Sequence, residues 1–286
     1  MNINNISPDK HKYLQIVSSI DKPPHTLYYY GTLPDARLPT VAIVGTRKPT
    51  AYGKEVTQRL AYDLAQHGVV IISGLALGVD GLAHQAALEA GGITLAVLPC
   101  GLPKIYPAKH RGLAAGIVEG GGALITEYDS DQEFSYQSNF LERNRIVAGL
   151  ADAIVITEAA ARSGTLNTAA HALAQGKEVF VVPGNITSPM SGGCNALIKQ
   201  GASIALSAED IIQVIAPHLL RQQEVLPLGS NPTEIAILRQ LKNGVRDGDE
   251  IQRNTNISAV DFTTALTMLE LSGVIRALGA NQWTLR

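Results

Sequence analysis

Thr40-Val41-Ala42-Ile43-Val44-Gly45-Thr46-Arg47 is the stretch of this sequence that decides the fold. The apolar run before the glycine predicts a strand that is covered on both faces, as in a parallel sheet. Gly45 allows a tight turn, and the helix expected next offers unpaired N–H groups to an anion. The planar guanidinium of Arg47 suits a phosphate. An ordinary strand-to-helix turn with a solvated arginine explains this stretch equally well.

The same pattern of strand, turn and helix recurs towards the C-terminus. Further buried strands are predicted at residues 69–72, 94–98, 123–126, 153–157 and 178–182. The segments between them carry apolar residues at helical spacing. This alternation over residues 40–216 predicts an α/β domain with a doubly wound, mainly parallel, Rossmann-like sheet. Ligands of such sheets bind beyond the carboxyl ends of the strands.

The two ends of the chain fall outside this predicted domain. Residues 1–39 are expected to form a lead-in segment, since their prolines argue against a compact helical domain. Its run Tyr28-Tyr29-Tyr30 fits an edge strand, a covering segment or a base-stacking surface. Residues 217–231 contain two prolines and a glycine, are followed by Pro232, and are predicted to be a linker. Residues 232–286 predict three helices and a hairpin, the pattern of a small winged-helix domain.

Composition limits the classes of function. The chain has 286 residues, 45% of them hydrophobic, and a net charge of −2, so any nucleic-acid site must be a local patch. The winged-helix segment balances six Lys or Arg against six Asp or Glu, which favours protein contact or packing over reading a DNA groove. Two cysteines without metal-ligand spacing fit a reducing cytoplasm. The sequence shows neither a signal peptide nor a membrane span, so we expect a cytoplasmic protein with no membrane partner.

Well-known nucleotide and catalytic motifs do not fit. Gly45 is not followed by the glycines of a dinucleotide fingerprint, and no Gly-x-x-x-x-Gly-Lys motif occurs, which argues against NAD and against a P-loop. Asp80 and His84 lie one helical turn apart, but a capping carboxylate and a packed histidine explain them better than acid–base catalysis. We therefore expect no enzyme activity, no cofactor and no metal.

Glycine turns recur at one edge of the predicted sheet. The turns at residues 45–47, 73–78 and 163–165, with a possible fourth at 184–185, offer backbone N–H donors and hydroxyls. One phosphate needs one such turn, so several suit a nucleic-acid backbone or a large nucleotide. For any single turn, a glycine that only permits tight bending is an equally good explanation.

A second candidate segment is Asn139-Phe140-Leu141-Glu142-Arg143-Asn144-Arg145. Arg143 and Arg145 cannot share a helical face, so one is expected to meet phosphate while the other pairs with Glu142 or the sheet. Phe140 fits either a base-stacking role or a hydrophobic staple at the helix start.

These strings resemble the DNA-processing protein A (DprA or Smf) family. Matching motifs run in order over about residues 25–215 and include Val44-Gly45-Thr46-Arg47, Ser73-Gly74-Leu75-Ala76, Gly78-Val79-Asp80, Arg143-Asn144-Arg145 and Ser163-Gly164-Thr165. The resemblance implies an extended Rossmann domain that binds single-stranded DNA, dimerises, protects incoming DNA and loads the recombinase RecA during natural transformation. The residues it assigns to DNA, together with the glycine turns, are Gly45, Thr46, Arg47, Gly74, Gly78, Phe140, Arg143, Asn144, Arg145, Ser163, Gly164, Thr165 and Lys199.

The chain departs from the family pattern at three places. Leu77 stands where a basic residue is usual, Leu141 replaces a proline, and the usual N-terminal helical domain is absent or cut to residues 1–22. The alternative function is a nucleotide hydrolase similar to the LOG-like phosphoribohydrolases, or a nucleotide sensor. Such hydrolases resemble the 163–165 turn but place a catalytic glutamate where this chain has Thr168. A DNA-binding mediator therefore ranks first.

Overall fold

A computed structural model describes residues 2–130, 136–221 and 231–285 of the chain. The chain divides into two compact units, Met1–Leu220 and Arg221–Arg286. Most of the expected linker, residues 222–230, lies outside the described residues.

The first unit alternates strands and helices as the apolar pattern predicts. Its strands are β1 (Asn4–Ile6), β2 (Leu27–Gly31), β3 (Thr40–Val44), β4 (Val70–Ser73), β5 (Thr94–Val97), β6 (Ala123–Thr126), β7 (Ala153–Ile156), β8 (Glu178–Val181) and β9 (Ser203–Ile204). Its helices are α1 (Ala51–Gln66), α2 (Val79–Glu89), α3 (Arg111–Glu119), α4 (Tyr136–Leu150), α5 (Thr165–Ala174), α6 (Gly192–Lys199), α7 (Ala208–Ile215) and α8 (Pro217–Arg221), the last crossing into the second unit by one residue.

Within the described residues, these strands form one sheet in the order β1-β2-β6-β5-β4-β3-β7-β8-β9. The strands from β3 onwards pair in parallel, whereas β2 pairs antiparallel with both β1 and β6. From β3 the chain first builds the sheet through β4, β5 and β6, and then crosses over to build the other half from β7. The strand order therefore reverses between β3 and β7, and the crevice at such a reversal is where α/β sheets bind ligands.

Helices cover both faces of the sheet. All five residues of β3 are buried, and its alternate side chains enter different cores. Val41 and Ile43 pack in the cluster that contains α1, α2 and α7 residues, while Ala42 and Val44 pack in the cluster that contains α4 and α5 residues. A strand buried on both faces has no polar face, which is why its sequence is a continuous apolar run.

The expected lead-in segment is built into the sheet of the first unit. The tyrosine run lies in β2, one strand in from the edge strand β1. Tyr13 and Leu14 are fully buried in the core, and the Tyr13 hydroxyl lies 2.9 Å from Thr40 Oγ1. Residues 4–31 therefore belong to the α/β unit, because β2 pairs with β6 and because Tyr13 and Leu14 pack in its core. The alternating strand and helix pattern of the sequence does not reveal either contact.

Over residues 231–285, the second unit contains three helices followed by a hairpin. They are α9 (Pro232–Lys242), α10 (Gly248–Thr255), α11 (Ala259–Leu271), β10 (Ile275–Gly279) and β11 (Gln282–Leu285). The helices pack around an apolar core that includes Ile237, Leu266 and Ile275, and the partly buried Trp283 of the hairpin packs against it. This arrangement is the winged helix that the sequence predicts, with Trp283 in a packing role.

Candidate nucleic-acid interface

A pocket of about 450 Å³ opens at the sheet reversal, between the turns that follow β3 and β7. The two turns are joined directly, because the Thr46 backbone N–H donates to the Glu158 carbonyl at 2.8 Å. Most of the sequence-predicted site residues line the pocket: Gly45, Thr46, Arg47, Gly74, Phe140, Arg143, Asn144, Ser163, Gly164 and Thr165. Residues from the turns after β3, β4 and β7 thus converge at one edge of the sheet, as parallel strands require, and helix α4 adds Phe140, Arg143 and Asn144.

The turn after β3 is held in place by the start of α2. The Val79 N–H donates to the Thr46 carbonyl at 3.2 Å. Gly78 has a φ of +83°, and a Cβ there would collide with the Thr46 carbonyl oxygen, so only glycine suits the position. Gly78 does not line the pocket itself but fixes the backbone from which the exposed Arg47 projects.

Arg143 lies beneath the pocket and is only 4% exposed. Its Nη1 donates to the Gly74 carbonyl at 2.7 Å and also to the Val97 carbonyl. The absence of a side chain at Gly74 leaves room for the guanidinium, which a Cβ would meet. The structure therefore places Arg143 against the sheet, where it binds backbone carbonyls.

Asp80 provides the negative charge that accompanies this buried arginine. Its Oδ2 accepts from the backbone N–H groups of Gly74 at 3.1 Å and Ala76 at 3.3 Å. Burial raises the pKa of Asp80 and lowers the pKa of Arg143, and each charge opposes the other's shift. Together the two side chains hold the turn after β4. The predicted capping role of Asp80 is wrong, because Asp80 accepts from N–H groups of this turn, while the N-cap residue of α2 is Gly78, without a side-chain cap.

Phe140 connects the exposed and the buried arginine. Its ring centroid lies 5.0 Å from Arg47 Cζ and 5.8 Å from Arg143 Cζ, both within cation–π range. The Tyr106 ring meets it edge-on, with centroids 5.5 Å apart and planes at 80°. Phe140 is half-buried and lines the pocket, so an aromatic ring with a cation above it lies at the opening.

The N-terminus of α5 forms the opposite wall. Gly164 precedes the helix, and the Ser163 hydroxyl donates to Thr165 Oγ1 at 2.9 Å while it accepts from the Thr165 N–H at 3.2 Å. The first N–H groups of a helix carry partial positive charge and attract anions. Arg162 is exposed and lines the same pocket. Sequence reasoning did not select Arg162, although its place directly before this turn was the available signal.

Besides Gly78, Arg145 and Lys199 are predicted site residues that do not line the pocket. Arg145 forms an ion pair with Glu127, and both side chains are largely buried. Lys199 is exposed in the last turn of α6 and does not line the pocket. Arg143 and Arg145 do occupy different faces of α4, but the carboxylate that pairs with Arg145 is Glu127. Asn144 lines the pocket and its Nδ2 donates to Asn167 Oδ1 at 3.2 Å.

The candidate acid–base pair is engaged in packing. His84 is fully buried, its Nδ1 lies 2.6 Å from Thr94 Oγ1, and burial lowers its pKa to about 3. A histidine with this pKa stays neutral at physiological pH.

Across residues 2–130, 136–221 and 231–285, no group of three or more His, Cys, Asp or Glu is arranged to hold a metal. Within the same ranges no helix is both long and apolar enough to span a bilayer.

Comparison with known proteins identifies the family. Residues 4–216 match the model of DNA recombination-mediator protein A, and residues 222–281 match the DprA winged helix domain. The chain belongs to the DprA family. Escherichia coli Smf is 37% identical over 287 residues, covering 95% of this chain and 74% of that protein. A putative DprA of Mycobacterium tuberculosis is 44% identical over 240 residues, and the match covers 82% of this chain and 61% of the relative.

Solved DprA structures share the fold. The Streptococcus pneumoniae DprA crystal structure has a TM-score of 0.69 and 34% identity, covering 75% of each chain. A Helicobacter pylori DprA structure, described in terms of its single-stranded DNA binding mode, has a TM-score of 0.66 and 33% identity, covering 78% of this chain and 97% of the other. The predicted family and the predicted mainly parallel α/β fold with a winged helix are confirmed.

Proposed function

We propose that this DprA-family chain is a non-enzymatic, single-stranded DNA-binding recombination mediator, and that the pocket at the sheet reversal is its DNA site. One observation carries the proposal: the exposed Arg47 and Arg162, the ring of Phe140 and the N-terminus of α5 all line one pocket. Among the described residues of its lining, the acidic one, Asp80, is already engaged by backbone N–H groups and by the charge of Arg143. The accessible charge of this described lining is therefore positive.

In this proposal different residues of the pocket bind the phosphates and the bases of the strand. Arg47, Arg162 and the amides at Gly164 and Thr165 bind phosphates, since guanidinium groups and helix N-termini are suited to anions. Phe140 accepts a base by stacking, which every base allows, so binding is tolerant of sequence. Arg143 and Asn144 support the site from beneath and beside it. Arg145 and Lys199 lie outside the pocket, and the proposal assigns them no contact with DNA.

The residue at the position expected to be catalytic in related nucleotide hydrolases supports a binding role. The position where related nucleotide hydrolases are expected to carry glutamate is Thr168, which lines the pocket and is 3% exposed. A threonine hydroxyl does not exchange a proton at neutral pH as a carboxylate does. Release of free base from AMP by the purified protein would overturn the non-enzymatic assignment.

We further propose RecA as a protein partner, cytoplasmic action on incoming DNA during natural transformation, and a homodimer. The family description as a recombination mediator supports the partnership. A dimer is supported by the side of the sheet at which β9 is the edge strand, where Ile204 of this strand and the nearby Leu206 and Val214 are exposed. Exposed apolar side chains beside an unpaired strand edge are typical of association surfaces.

The decisive test is a titration of the full chain with matched single-stranded and double-stranded oligonucleotides at two salt concentrations. We expect tighter binding of the single strand and a steep loss of affinity as salt rises, because phosphate contacts release counterions. Arg47→Ala should weaken this binding, while the matched exposed arginine variant Arg59→Ala on α1 should not. Equal affinity for duplex, or binding that is indifferent to salt, would argue for another function.

A further inference from the structure

A second cleft, of about 530 Å³, opens on the other side of Arg47. Among the residues that the structure describes, Arg47, Lys48, Lys54 and His110 line it, and no aspartate or glutamate does. Leu82 and Leu113 form an apolar part of its wall. Arg47 lines both this cleft and the pocket at the sheet reversal. The two cavities therefore meet at one side chain.

The lysines of the cleft are fixed by local structure. Lys48 follows Arg47 in the turn, where its N–H donates to Thr46 Oγ1 at 3.2 Å. Lys54 lies in the first turn of α1, and its N–H donates to the Thr50 carbonyl at 3.0 Å. Both side chains are exposed. The backbone of each lysine is thus held while its ammonium group remains available to a ligand.

The charge at the start of α1 comes from these lysines and not from the helix end. Glu158 Oε2 accepts from the Thr50 N–H at 2.8 Å, and Oε1 accepts from the Thr50 hydroxyl at 2.7 Å. This buried carboxylate occupies the place where an anion would otherwise bind the helix N-terminus. Point charges on flexible stems remain, and these suit phosphates arranged along a chain more than a single fixed anion.

The ring of His110 forms one side of the cleft and is held in place by its contacts. Its Nδ1 lies 2.8 Å from the Leu75 carbonyl and therefore donates to it. A Cβ at Gly81 would lie 2.6 Å from His110 Cε1, so the glycine lets the ring approach α2. An ordered imidazole beside two lysines and two leucines offers both polar and apolar contact to a nucleotide.

We infer that a single strand bound in the pocket at the sheet reversal continues across Arg47 into this cleft, where Lys48 and Lys54 hold its next phosphates. The inference rests on the proposed function and extends its footprint. Arg47 then contacts the strand at the junction, and the strand gains at least two more ionic contacts than the pocket alone provides. Such contacts add affinity for any sequence and depend on salt.

The test measures fluorescence anisotropy of labelled oligothymidylates with the full chain at several salt concentrations. Short strands of about 4 nucleotides fill one cavity, and strands of about 20 nucleotides reach both. The double variant Lys48→Ala/Lys54→Ala should bind the short strand as the wild type does and bind the long strand roughly tenfold more weakly. Its slope of log affinity against log salt for the long strand should be shallower by about 1.4, since each phosphate contact on a single strand contributes about 0.7.

The matched control is Lys10→Ala/Lys12→Ala, which removes the same charge from two exposed lysines that do not line the cleft. It should leave affinity and salt slope unchanged. An unchanged slope in the cleft variant, with a wild type that binds, overturns the extended footprint and leaves the proposed function standing. Equal weakening for short and long strands also overturns it, since the lysines would then act on the first pocket. A wild type that binds neither strand overturns both.

Discussion

The edge of the α/β sheet and the exposed face of α11 in the winged helix contrast in charge. The sheet edge presents Arg47 and Arg162, with Lys48 and Lys54 in the adjoining cleft. Helix α11 contains no lysine or arginine. Its exposed residues include Val260, Met268, Leu271, Asp261 and Glu270. A winged helix is a common DNA-binding form, yet in this chain α11 carries none of the cations that phosphate binding requires, and those that line the two cavities belong to the other unit.

The two regions also differ beneath the surface. Under the sheet edge lie buried polar and charged groups, namely Asp80, His84, Arg143 and Glu158. Under α11 lies an apolar cluster that includes Phe262 and Leu269. Buried charges are costly unless each has its partners, so the sheet edge should be sensitive to single substitutions and to pH. The α11 face should be tolerant.

The largest effect is expected from Arg143→Ala. Removing the guanidinium leaves the buried Asp80 without its cation and two backbone carbonyls without a donor, so the free energy of unfolding should fall by about 3–5 kcal/mol. Urea unfolding measures it, with the tyrosines reporting the first unit and the single tryptophan, Trp283, reporting the second.

Arg162→Ala is the matched control, because this arginine lines the same pocket but is exposed. It should change the free energy of unfolding by less than about 0.5 kcal/mol. A loss below about 1 kcal/mol for Arg143→Ala would show that the buried pair does not stabilise the site, and the contrast between the two regions would weaken.

The second effect concerns pH. His84 has a pKa of about 3 in the folded protein, against 6.5 for the free side chain, so the unfolded chain binds a proton that the folded chain rejects between these values. Stability should therefore fall as pH drops below 6.5, by about 1.4 kcal/mol per unit and about 2 kcal/mol at pH 5.

His84→Gln should remove this part of the pH dependence, measured as the difference from the wild type in urea unfolding at pH 7.5 and pH 5. The change should appear in the tyrosine signal of the first unit. The Trp283 transition should not follow it, since residues 221–286 contain no histidine. An identical pH profile in wild type and variant would contradict the neutral, buried histidine.

The third effect is on binding. Arg47→Ala should weaken single-stranded DNA binding by roughly tenfold, or about 1.4 kcal/mol, because a charge-assisted contact is lost. The salt slope should become shallower by about 0.7. Fluorescence anisotropy with Arg59→Ala as the control measures both. Loss of affinity with an unchanged salt slope would show that Arg47 acts through Phe140 and not on phosphate.

The smallest effect is expected at α11. The double variant Val260→Ser/Leu271→Ser changes two residues that are 76% and 77% exposed, so it should neither unfold the unit nor alter single-stranded DNA affinity by more than about twofold. The same anisotropy assay applies, with Trp283 fluorescence as the check on folding. A tenfold loss would place part of the DNA site on the winged helix and contradict the expected difference between the two regions.

The sequence could predict which turns meet but not how deep each side chain lies. Gly45–Arg47 and Ser163–Thr165 follow parallel strands, whose carboxyl ends share an edge, so their convergence follows from the strand pattern. Helical spacing separates Arg143 from Arg145 but does not say which of them faces the sheet. That depends on the room left by Gly74 and on the Val97 carbonyl, both far away in the chain. The antiparallel pairing of β2 with β6 was equally beyond a local pattern.

That pairing also has a consequence for biosynthesis. Tyr28 in β2 lies opposite Thr126 in β6, so β2 leaves the ribosome well before its neighbour in the finished sheet exists. At translation speeds of roughly 5–20 residues per second, the nascent segment waits on the order of 5–20 seconds with its backbone unpaired on that side. During this interval the backbone N–H and C=O groups on that side of β2 have no strand partner and are satisfied by water.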